Sequence, residues 1–146
     1  METSVKGYIS NIKAHVIRLL PDMDLYQELI KYLKNNCIKA ACIVSCVGSL
    51  KKINLRTATG YNFIKREEFF EIVSLTGSIS CDRCHLHICL SDKNGKTIGG
   101  HLMRDENIVF TTAEIVLGEF PNLIFSEEMC DKSGWPELKI NENDIN

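Results

Sequence analysis

Residues 85–102 read HLHICLSDKNGKTIGGHL, and this stretch is the most informative part of the sequence. Its two halves, HLHICLSD and KTIGGHL, are typical of β-strands, and the short polar segment KNG lies between them. We therefore predict two strands joined by a tight turn. Alternate side chains of a strand point to the same face, so His85, His87 and Cys89 lie together. The leucine and isoleucine residues between them lie on the opposite face.

The length of the turn sets the register of these two strands. A two-residue Asn-Gly turn would place His101, in the second strand, on the face opposite to the other two histidines. Aspartate at the first turn position and glycine at the fourth, here Asp92 and Gly95, instead favour a type I turn whose glycine forms a left-handed bulge. The resulting three-residue loop pairs Asp92 with Lys96 and sets His87 directly opposite His101.

Three imidazoles converge in this register. Directly opposed Cβ atoms lie roughly 5 Å apart, and the diagonal from His85 to His101 is roughly 7 Å. Gly99 and Gly100 precede His101 and leave room for close backbone approach or a further bulge. Imidazole suits zinc, copper, iron or nickel, so we predict a divalent metal, with zinc preferred, bound by His85, His87 and His101. Three protein ligands leave one coordination position open, the pattern of catalytic zinc.

Cysteines near the histidines suggest two other sites. Residues 81–85 read CDRCH and match the attachment pattern of c-type haem, but that chemistry takes place in a compartment reached by secretion. A zinc ribbon needs a second pair of ligands. The nearest cysteines, Cys42 and Cys46, lie in an apolar segment typical of buried thiols. The histidine site is therefore the preferred interpretation, and we expect His15 to be a half-buried, hydrogen-bonded side chain.

Composition indicates one globular domain. The chain has 146 residues, 45% hydrophobic and 25% charged, with a formal net charge of -2, which gives no overall attraction to nucleic acid or anionic membrane. No apolar run approaches the roughly 20 residues of a membrane span. The opening METSVKGYISNIK is too polar for a signal peptide. We therefore expect a cytoplasmic or nuclear protein whose seven cysteines are reduced thiols.

One helix is predicted in a mostly β protein. Leucines recur at every fourth position of DLYQELIKYLKNN, residues 24–36, and so line one helix face. Asp24 can cap this helix, Gln27 completes a capping box, and the two asparagines at its end suit a left-handed stop. Strands are predicted at HVIRLL before the helix and, after it, at AACIVSCVGS, KINLRTAT, FFEIVSLTGSIS, HLHICLSD, KTIGGHLM, NIVFTTAEIVLGEF and NLIFSEE.

The chain resembles the PPC (plants and prokaryotes conserved) domain over nearly its whole length. The pattern H-L-H, then S-D-x-x-G, then G-G-H, carries most of the resemblance, and Pro21-Asp22 stands where the family usually has Pro-Gly. The other matching segments are RLLPDMDL at 18–25, VGSLKKINLR at 47–56, FEIVSLTGSIS at 70–80 and TTAEIVLGEF at 111–120.

The resemblance implies a fold, an assembly and a metal site. The fold is α/β (α+β), with a mixed or antiparallel β-sheet and one principal helix, and it assembles as a homotrimer. Metal is implied at the residues that match the family's histidines, which here are His85, His87 and His101. We assign the PPC-like domain to residues 13–140. An N-terminal segment, 1–12, precedes it, and the polar tail, 141–146, is expected to be disordered.

Two classes of function follow from this resemblance. The domain also looks like a distant relative of acetolactate decarboxylase, which favours a small-molecule metalloenzyme whose ion polarises a carbonyl or activates water. Other PPC proteins are described as DNA-binding or transcription-associated modules. This chain lacks the Arg-Gly-Arg-Pro core of an AT-hook, and its basic residues occur only as short pairs such as Lys51-Lys52 and Lys65-Arg66. Weak DNA binding at most is therefore expected.

No acid or base partner for such an enzyme can be placed from the sequence. A tight turn at residues 104–107 would pair the strand of His101 with the next one and leave Glu114 roughly 13 Å along that strand from His101. Arg56 and Glu71 would reach the site only if strand order or a neighbouring subunit brought them there. The substrate and the catalytic residues stay unassigned.

Overall fold

The structure, a computed structural model, describes residues 5–143. That part of the chain contains one helix, α1, at Leu25–Asn35. No helix in it is long and apolar enough to cross a membrane. The strands in chain order are β1 Lys13–Leu19, β2 Ala41–Arg56, β3 Phe63–Arg66, β4 Phe70–Ile79, β5 Cys84–Asp92, β6 Thr97–Leu102, β7 Ile108–Glu119, β8 Leu123–Cys130 and β9 Trp135–Glu142.

One large antiparallel sheet organises the molecule. Its strands lie in the order β1-β7-β2-β4-β5-β6, with β3 paired to β2, and β8 and β9 form a separate two-stranded sheet. The last residues of β2 also pair with β6, so β2, β4, β5 and β6 close into a ring of four strands. All pairings among the described residues are antiparallel. The predicted mostly β fold with one helix is confirmed, and the sheet is antiparallel rather than mixed.

Strand β2 is a single long strand where the sequence predicted two. It runs for 16 residues and includes Leu50 and Lys51, which the prediction left between two strands. Gly48 adopts φ +151, and a Cβ atom there would collide with the backbone carbonyl oxygen of Thr112 in β7. This glycine therefore permits close contact between two strands instead of ending one. Several register shifts between β2 and β7 let the strand bend and pair with four neighbours.

The helix packs on the sheet through its leucine face, as predicted. Leu25, Leu29 and Leu33 have no exposed surface, and burying each of them contributes roughly 1.5–3 kcal/mol. The side chain of Asp24 accepts a hydrogen bond from the backbone N–H of Gln27 at 3.0 Å. The predicted N-cap is confirmed.

The capping box and the helix stop differ from the prediction. The side-chain amide of Gln27 donates to the carbonyl oxygen of Arg104 at 2.5 Å, because a neighbouring loop supplies that acceptor beside the helix start. Asn36 has φ -104 and donates through its side chain to the carbonyl oxygen of Tyr32. The left-handed residue is Cys37, at φ +52, one position later than expected.

The connection from β6 to β7 is not the predicted hairpin. β6 pairs with β5 and with β2, whereas β7 pairs with β1 and β2. Asn107 is fully buried in the connection. Its side chain accepts from the N–H of Asn54 at 2.9 Å and donates to the carbonyl oxygen of Met103 at 2.9 Å. These bonds anchor the loop to β2, and β2 occupies the edge of β6 that was assigned to β7.

Strands β3 and β9 were not predicted, and β9 extends into the segment that was expected to be disordered. β3 has only four residues, and β9 is exposed along almost its whole length. Each has a single half-buried residue, so neither shows the alternation of a half-buried strand. β9 extends to Glu142, and Asn143 donates its N–H to the carbonyl oxygen of Asn122 at 2.7 Å. The first residues of the predicted disordered tail are therefore structured, and residues 144–146 lie outside the described residues.

His15 and the cysteines have the states that the sequence predicts. His15 is largely buried, with Nδ1 2.9 Å from the Tyr32 hydroxyl and Nε2 2.7 Å from a Glu119 carboxylate oxygen. All seven cysteines are free. The predictions for His15 and for the thiols are confirmed.

Candidate metal centre

The β5–β6 hairpin has the predicted register. The backbone N–H of Asp92 donates to the carbonyl oxygen of Lys96 at 2.9 Å, and Gly95 adopts φ +78. One carboxylate oxygen of Asp92 also accepts two backbone N–H groups of the loop, at 2.8 and 2.9 Å. The three-residue loop sets His87 directly opposite His101. The tight turn at the other end of this hairpin therefore decides whether the histidines share a face.

Gly99 and Gly100 allow strand β6 to lie close to β5 on one side and to β2 on the other. A Cβ atom on Gly99 would lie 2.9 Å from the carbonyl oxygen of Ile88, and one on Gly100 would lie 2.7 Å from that of Arg56. The close backbone approach expected at these glycines is confirmed. Because β6 is paired on both sides, Arg56 lies opposite His101. Strand order thus brings Arg56 to the site.

The three imidazoles are close enough to share one ion. His85, His87 and His101 each offer one nitrogen, and these nitrogens all lie within 4.8 Å of one another. Nε2 of His85 and Nε2 of His87 are 3.2 Å apart. Two nitrogens bound to a tetrahedral zinc at about 2.0–2.1 Å are separated by about 3.3 Å. The distance between His85 and His87 therefore fits a zinc ion, and the three residues of this histidine triad lie together on one face as the sequence predicts.

The surroundings of His85 and His101 favour neutral imidazoles. Burial lowers the pKa of His101 to about 4, and the positive charge of Arg56 is the next cause. Burial also lowers the pKa of His85, followed by the effects of His87 and Arg83. Nδ1 of His101 is buried and has no hydrogen-bond partner. A metal ion needs unprotonated nitrogen, so these rings are ready to bind one near neutral pH.

The cysteines of the CDRCH motif do not join the histidine triad. The triad is the one cluster of three or more histidine, cysteine or acidic side chains in residues 5–143 with metal-ligand spacing. Cys84 is the strand neighbour of His85 but is directed toward Tyr26 of the helix, and burial raises its pKa. The haem and zinc-ribbon interpretations both require paired cysteine ligands, and this geometry favours neither.

The histidine triad opens onto a cleft of about 750 Å³. Helix α1, the end of β2, the loop before β5 and strand β9 form its walls. His85 and His101 lie on its floor, and Arg56, Arg83 and Trp135 are among its lining residues. Arg83 lies inside CDRCH and was not predicted as a site residue, because that motif indicates cysteine chemistry. Trp135 was not predicted either, because β9 carries no strand signal.

Two acidic residues considered as partners lie elsewhere. Glu114 of β7 pairs with Arg18 of β1, and β7 does not contact β6 through strand pairing. Glu71 of β4 is paired with Ser91 at the far end of β5. The acidic residues that do line the cleft are Asp82, Glu127 and Glu137.

A sequence model of the Plants and Prokaryotes Conserved (PCC) domain matches residues 7–121. The chain belongs to the PCC-domain family. This is the family that the sequence resembled under the abbreviation PPC, and the match covers both halves of the histidine hairpin.

Curated relatives place a PCC-like segment within larger proteins. Two proteins called bifunctional protein GlmU, from two strains of Synechococcus, are 38% and 39% identical to the chain over 130 and 132 residues. The matches cover 89% of this chain but only 21% and 20% of the relatives. The chain therefore spans about a fifth of the length of these proteins.

Solved structures share the fold over almost the whole chain. A hypothetical protein from Salmonella enterica is 36% identical, with a TM-score of 0.90 over 92% of this chain and 97% of its own. A metal-containing protein from Archaeoglobus fulgidus is 25% identical, with a TM-score of 0.77 over 92% and 99%. A candidate DNA-binding protein from Bacteroides thetaiotaomicron is 20% identical, with a TM-score of 0.76 over 90% and 98%. At that identity the last likeness shows the fold alone.

Proposed function

We propose that this PCC-domain protein binds one divalent metal ion, zinc, through His85, His87 and His101. The observation that carries the proposal is the convergence of three ring nitrogens within 4.8 Å on one sheet face. A ligand set of three neutral imidazoles is typical of catalytic zinc, in which the fourth position stays open. The metal-containing relative from Archaeoglobus fulgidus, which has the same fold, adds support.

The strands around the histidine triad orient its side chains. His101 is held between two paired strands, which limits the freedom of its ring. A bound zinc ion would supply Lewis-acid chemistry at its open position. The cleft gives a small molecule access to that position, as the sequence-based hypothesis of a metalloenzyme requires. The substrate, the reaction and the likeness to acetolactate decarboxylase stay predictions.

The experiment is elemental analysis of the purified protein and four variants. We expect about one zinc per chain, and His87→Ala should lose most of it, because His87 lies between His85 on its own strand and His101 across the hairpin. His15→Ala is the matched control, since it removes a histidine outside the triad. Cys81→Ser and Cys84→Ser should keep their metal. Metal that survives His87→Ala but disappears with either serine variant would contradict the proposal.

DNA binding is the weaker of the two candidate functions. The basic pairs noted in the sequence lie in ion pairs, in which Lys52 contacts Glu67 and Glu106, and Lys65 contacts Glu106. Neutralised lysines release few counterions from a phosphate backbone. A role for this chain as a DNA-associated regulatory module therefore stays a prediction.

We further propose that the protein associates with itself as a homotrimer. The sheet strands expose several large apolar side chains on the side away from the helix, among them Val16 at 81% exposure and Val44 and Val47 at 58% each. Large exposed apolar surface is typical of a protein–protein interface. Light scattering after size-exclusion chromatography should give three times the 16.5 kDa chain mass, and a monomer mass would contradict the trimer. The cytoplasmic or nuclear location expected from the sequence stays a prediction.

A further inference from the structure

We propose that the cleft beside the histidine triad binds a small organic anion, one end of which is a carboxylate or phosphate group held by Arg56 and Arg83. The inference rests on the proposed function, because the same anionic group would also reach the open position of the metal. It adds the chemical class of the ligand and the side chains that recognise it.

Arg56 is placed to receive an anion. It lies opposite His101 in the β2–β6 pairing, and its guanidinium carbon is 5.2 Å from the centre of the Trp135 ring. Its Nε is buried without a hydrogen-bond partner, and no carboxylate in residues 5–143 forms an ion pair with it. Stacking on an aromatic ring orients a guanidinium while leaving its N–H groups free for planar anions. Arg56 is thus a partly buried, oriented cation beside the histidine triad.

Arg83 supplies a second guanidinium on the other side of the triad. It is only 4% exposed, and its Nη1 donates to the Ser78 side chain at 2.7 Å. Its nearest carboxylate is Glu127, 3.8 Å from Nε, and this Nε has no hydrogen-bond partner. Nη1 also donates to the carbonyl oxygen of Ser78 at 3.3 Å. The buried Nε is therefore the donor that still lacks an acceptor, and leaving such a group unpaired is costly.

Metal binding would release one of the donors of Arg83. Nη2 of Arg83 lies 3.2 Å from Nδ1 of His85, and a guanidinium can only donate, so Nδ1 is the acceptor. If His85 binds an ion through Nε2, the nitrogen that faces His87, the ring carries its remaining proton on Nδ1. The N–H at Nδ1 would then face an N–H of Nη2, and two donors cannot form a hydrogen bond with each other. The guanidinium then needs another acceptor, and an anion at the open metal position would provide one.

The size and walls of the cleft indicate an organic molecule rather than an inorganic ion. Its volume of about 750 Å³ is in the range of pockets that hold drug-sized ligands. Trp135 and Pro136 contribute apolar surface to the cleft, and Glu127 and Glu137 also line it. These carboxylates would repel a ligand that is anionic along its whole length. A ligand with one anionic end and an uncharged body fits this arrangement best.

Trp135 provides the assay, because it is the one tryptophan of the chain. Zinc-loaded protein is titrated with butyrate and, separately, with propyl phosphate, each of which has one anionic end and an uncharged body, while tryptophan fluorescence is recorded. We expect a saturable change with at least one of the two anions, and the comparison shows whether the site prefers carboxylate or phosphate. Arg56→Gln should weaken binding at least about tenfold, the effect of losing a charge-assisted hydrogen bond. Arg66→Gln is the control, because Arg66 is half exposed and pairs with Glu68.

The outcomes separate this inference from the proposed function. Zinc content is measured for each variant before and after titration, and only zinc-loaded protein is compared. Absence of a saturable response in zinc-loaded wild type, or equal affinity in Arg56→Gln, overturns the anion site while leaving the metal site standing. A wild-type protein that holds no zinc overturns the proposed function and this inference with it. If Arg56→Gln does not fold, Arg56→Lys provides the comparison, since it keeps the charge but loses the planar fork and should bind with intermediate affinity.

Discussion

Replacing Gly95 by valine should destabilise the protein through the backbone alone. Gly95 has φ +78, and a Cβ atom there would meet nothing within 4 Å, so no side chain is crowded by the change. An L-residue in the left-handed conformation is less stable by about 1–2 kcal/mol, and a β-branched residue tolerates it least. We expect Gly95→Val to lower the free energy of unfolding by about 2 kcal/mol. For a domain of this size the melting temperature would fall by about 4–8 °C.

Thermal unfolding followed by circular dichroism measures this effect, with two further variants for comparison. Gly95→Asn should lose less than about 1 kcal/mol, because asparagine visits the left-handed region more readily. Gly7→Val is the matched control, since Gly7 also has no neighbour within 4 Å and no left-handed φ, and its stability should stay within about 0.5 kcal/mol of wild type. A Gly95→Val protein as stable as wild type would refute the bulged three-residue loop, and with it the register that unites the histidines.

Three further predictions concern the core, the charge state of the site and DNA. Leu29→Ala, at a fully buried helix position, should lower the free energy of unfolding by about 2–5 kcal/mol in urea titrations; an effect below 1 kcal/mol would contradict the packing. The pKa of His101 is lowered from 6.5 to about 4 in the folded chain, so the unfolded chain binds more protons between these values. Metal-free protein should therefore lose stability as pH falls from 6.5 toward 4, by less than about 1.4 kcal/mol per pH unit; His101→Gln should reduce this slope, and an unchanged slope would contradict the assignment. Duplex DNA should bind weakly and be released by physiological salt in a gel shift, whereas selective nanomolar binding at that salt would favour the DNA-binding role.

The histidine hairpin could be predicted because every determinant is local. Asp92 and Gly95 specify the loop, the loop specifies the register, and alternation along the strands then places the three histidines. The N-cap at Asp24 and the buried leucine face of the helix follow from equally short-range patterns. Contacts between residues that are close in the chain can be predicted from sequence, because few alternative backbone arrangements are available to such short segments.

Long-range pairing set the rest of the site and could not be predicted. Arg56 reaches His101 only because the bent end of β2 pairs with β6, and no local pattern distinguishes this from the β6–β7 hairpin that was expected. The buried hydrogen bond from the N–H of Asn54 to the Asn107 side chain, which favours the observed arrangement, joins residues 53 positions apart. Gln27 was misassigned for the same reason, because its acceptor on Arg104 comes from a distant loop.

The cleft was invisible from the sequence because exposed strands and single arginines carry no pattern. β9 brings Trp135 against Arg56, yet its residues are almost all exposed and lack the alternation of a half-buried strand. Arg83 resembles a surface residue between two cysteines, although it is 4% exposed. A buried arginine can be recognised only when the surrounding structure is known.

Crystallographic anomalous scattering at the zinc edge tests the metal site most directly. Data collected on either side of the edge, from crystals of protein purified with added zinc, locate the ion without any assumption about its ligands. We expect one peak per chain, about 2.0–2.1 Å from one nitrogen of each of His85, His87 and His101, and no peak in crystals of His87→Ala. A peak at Cys81 and Cys84, or no ordered peak at the histidines of the wild-type protein, would contradict the proposed metal site.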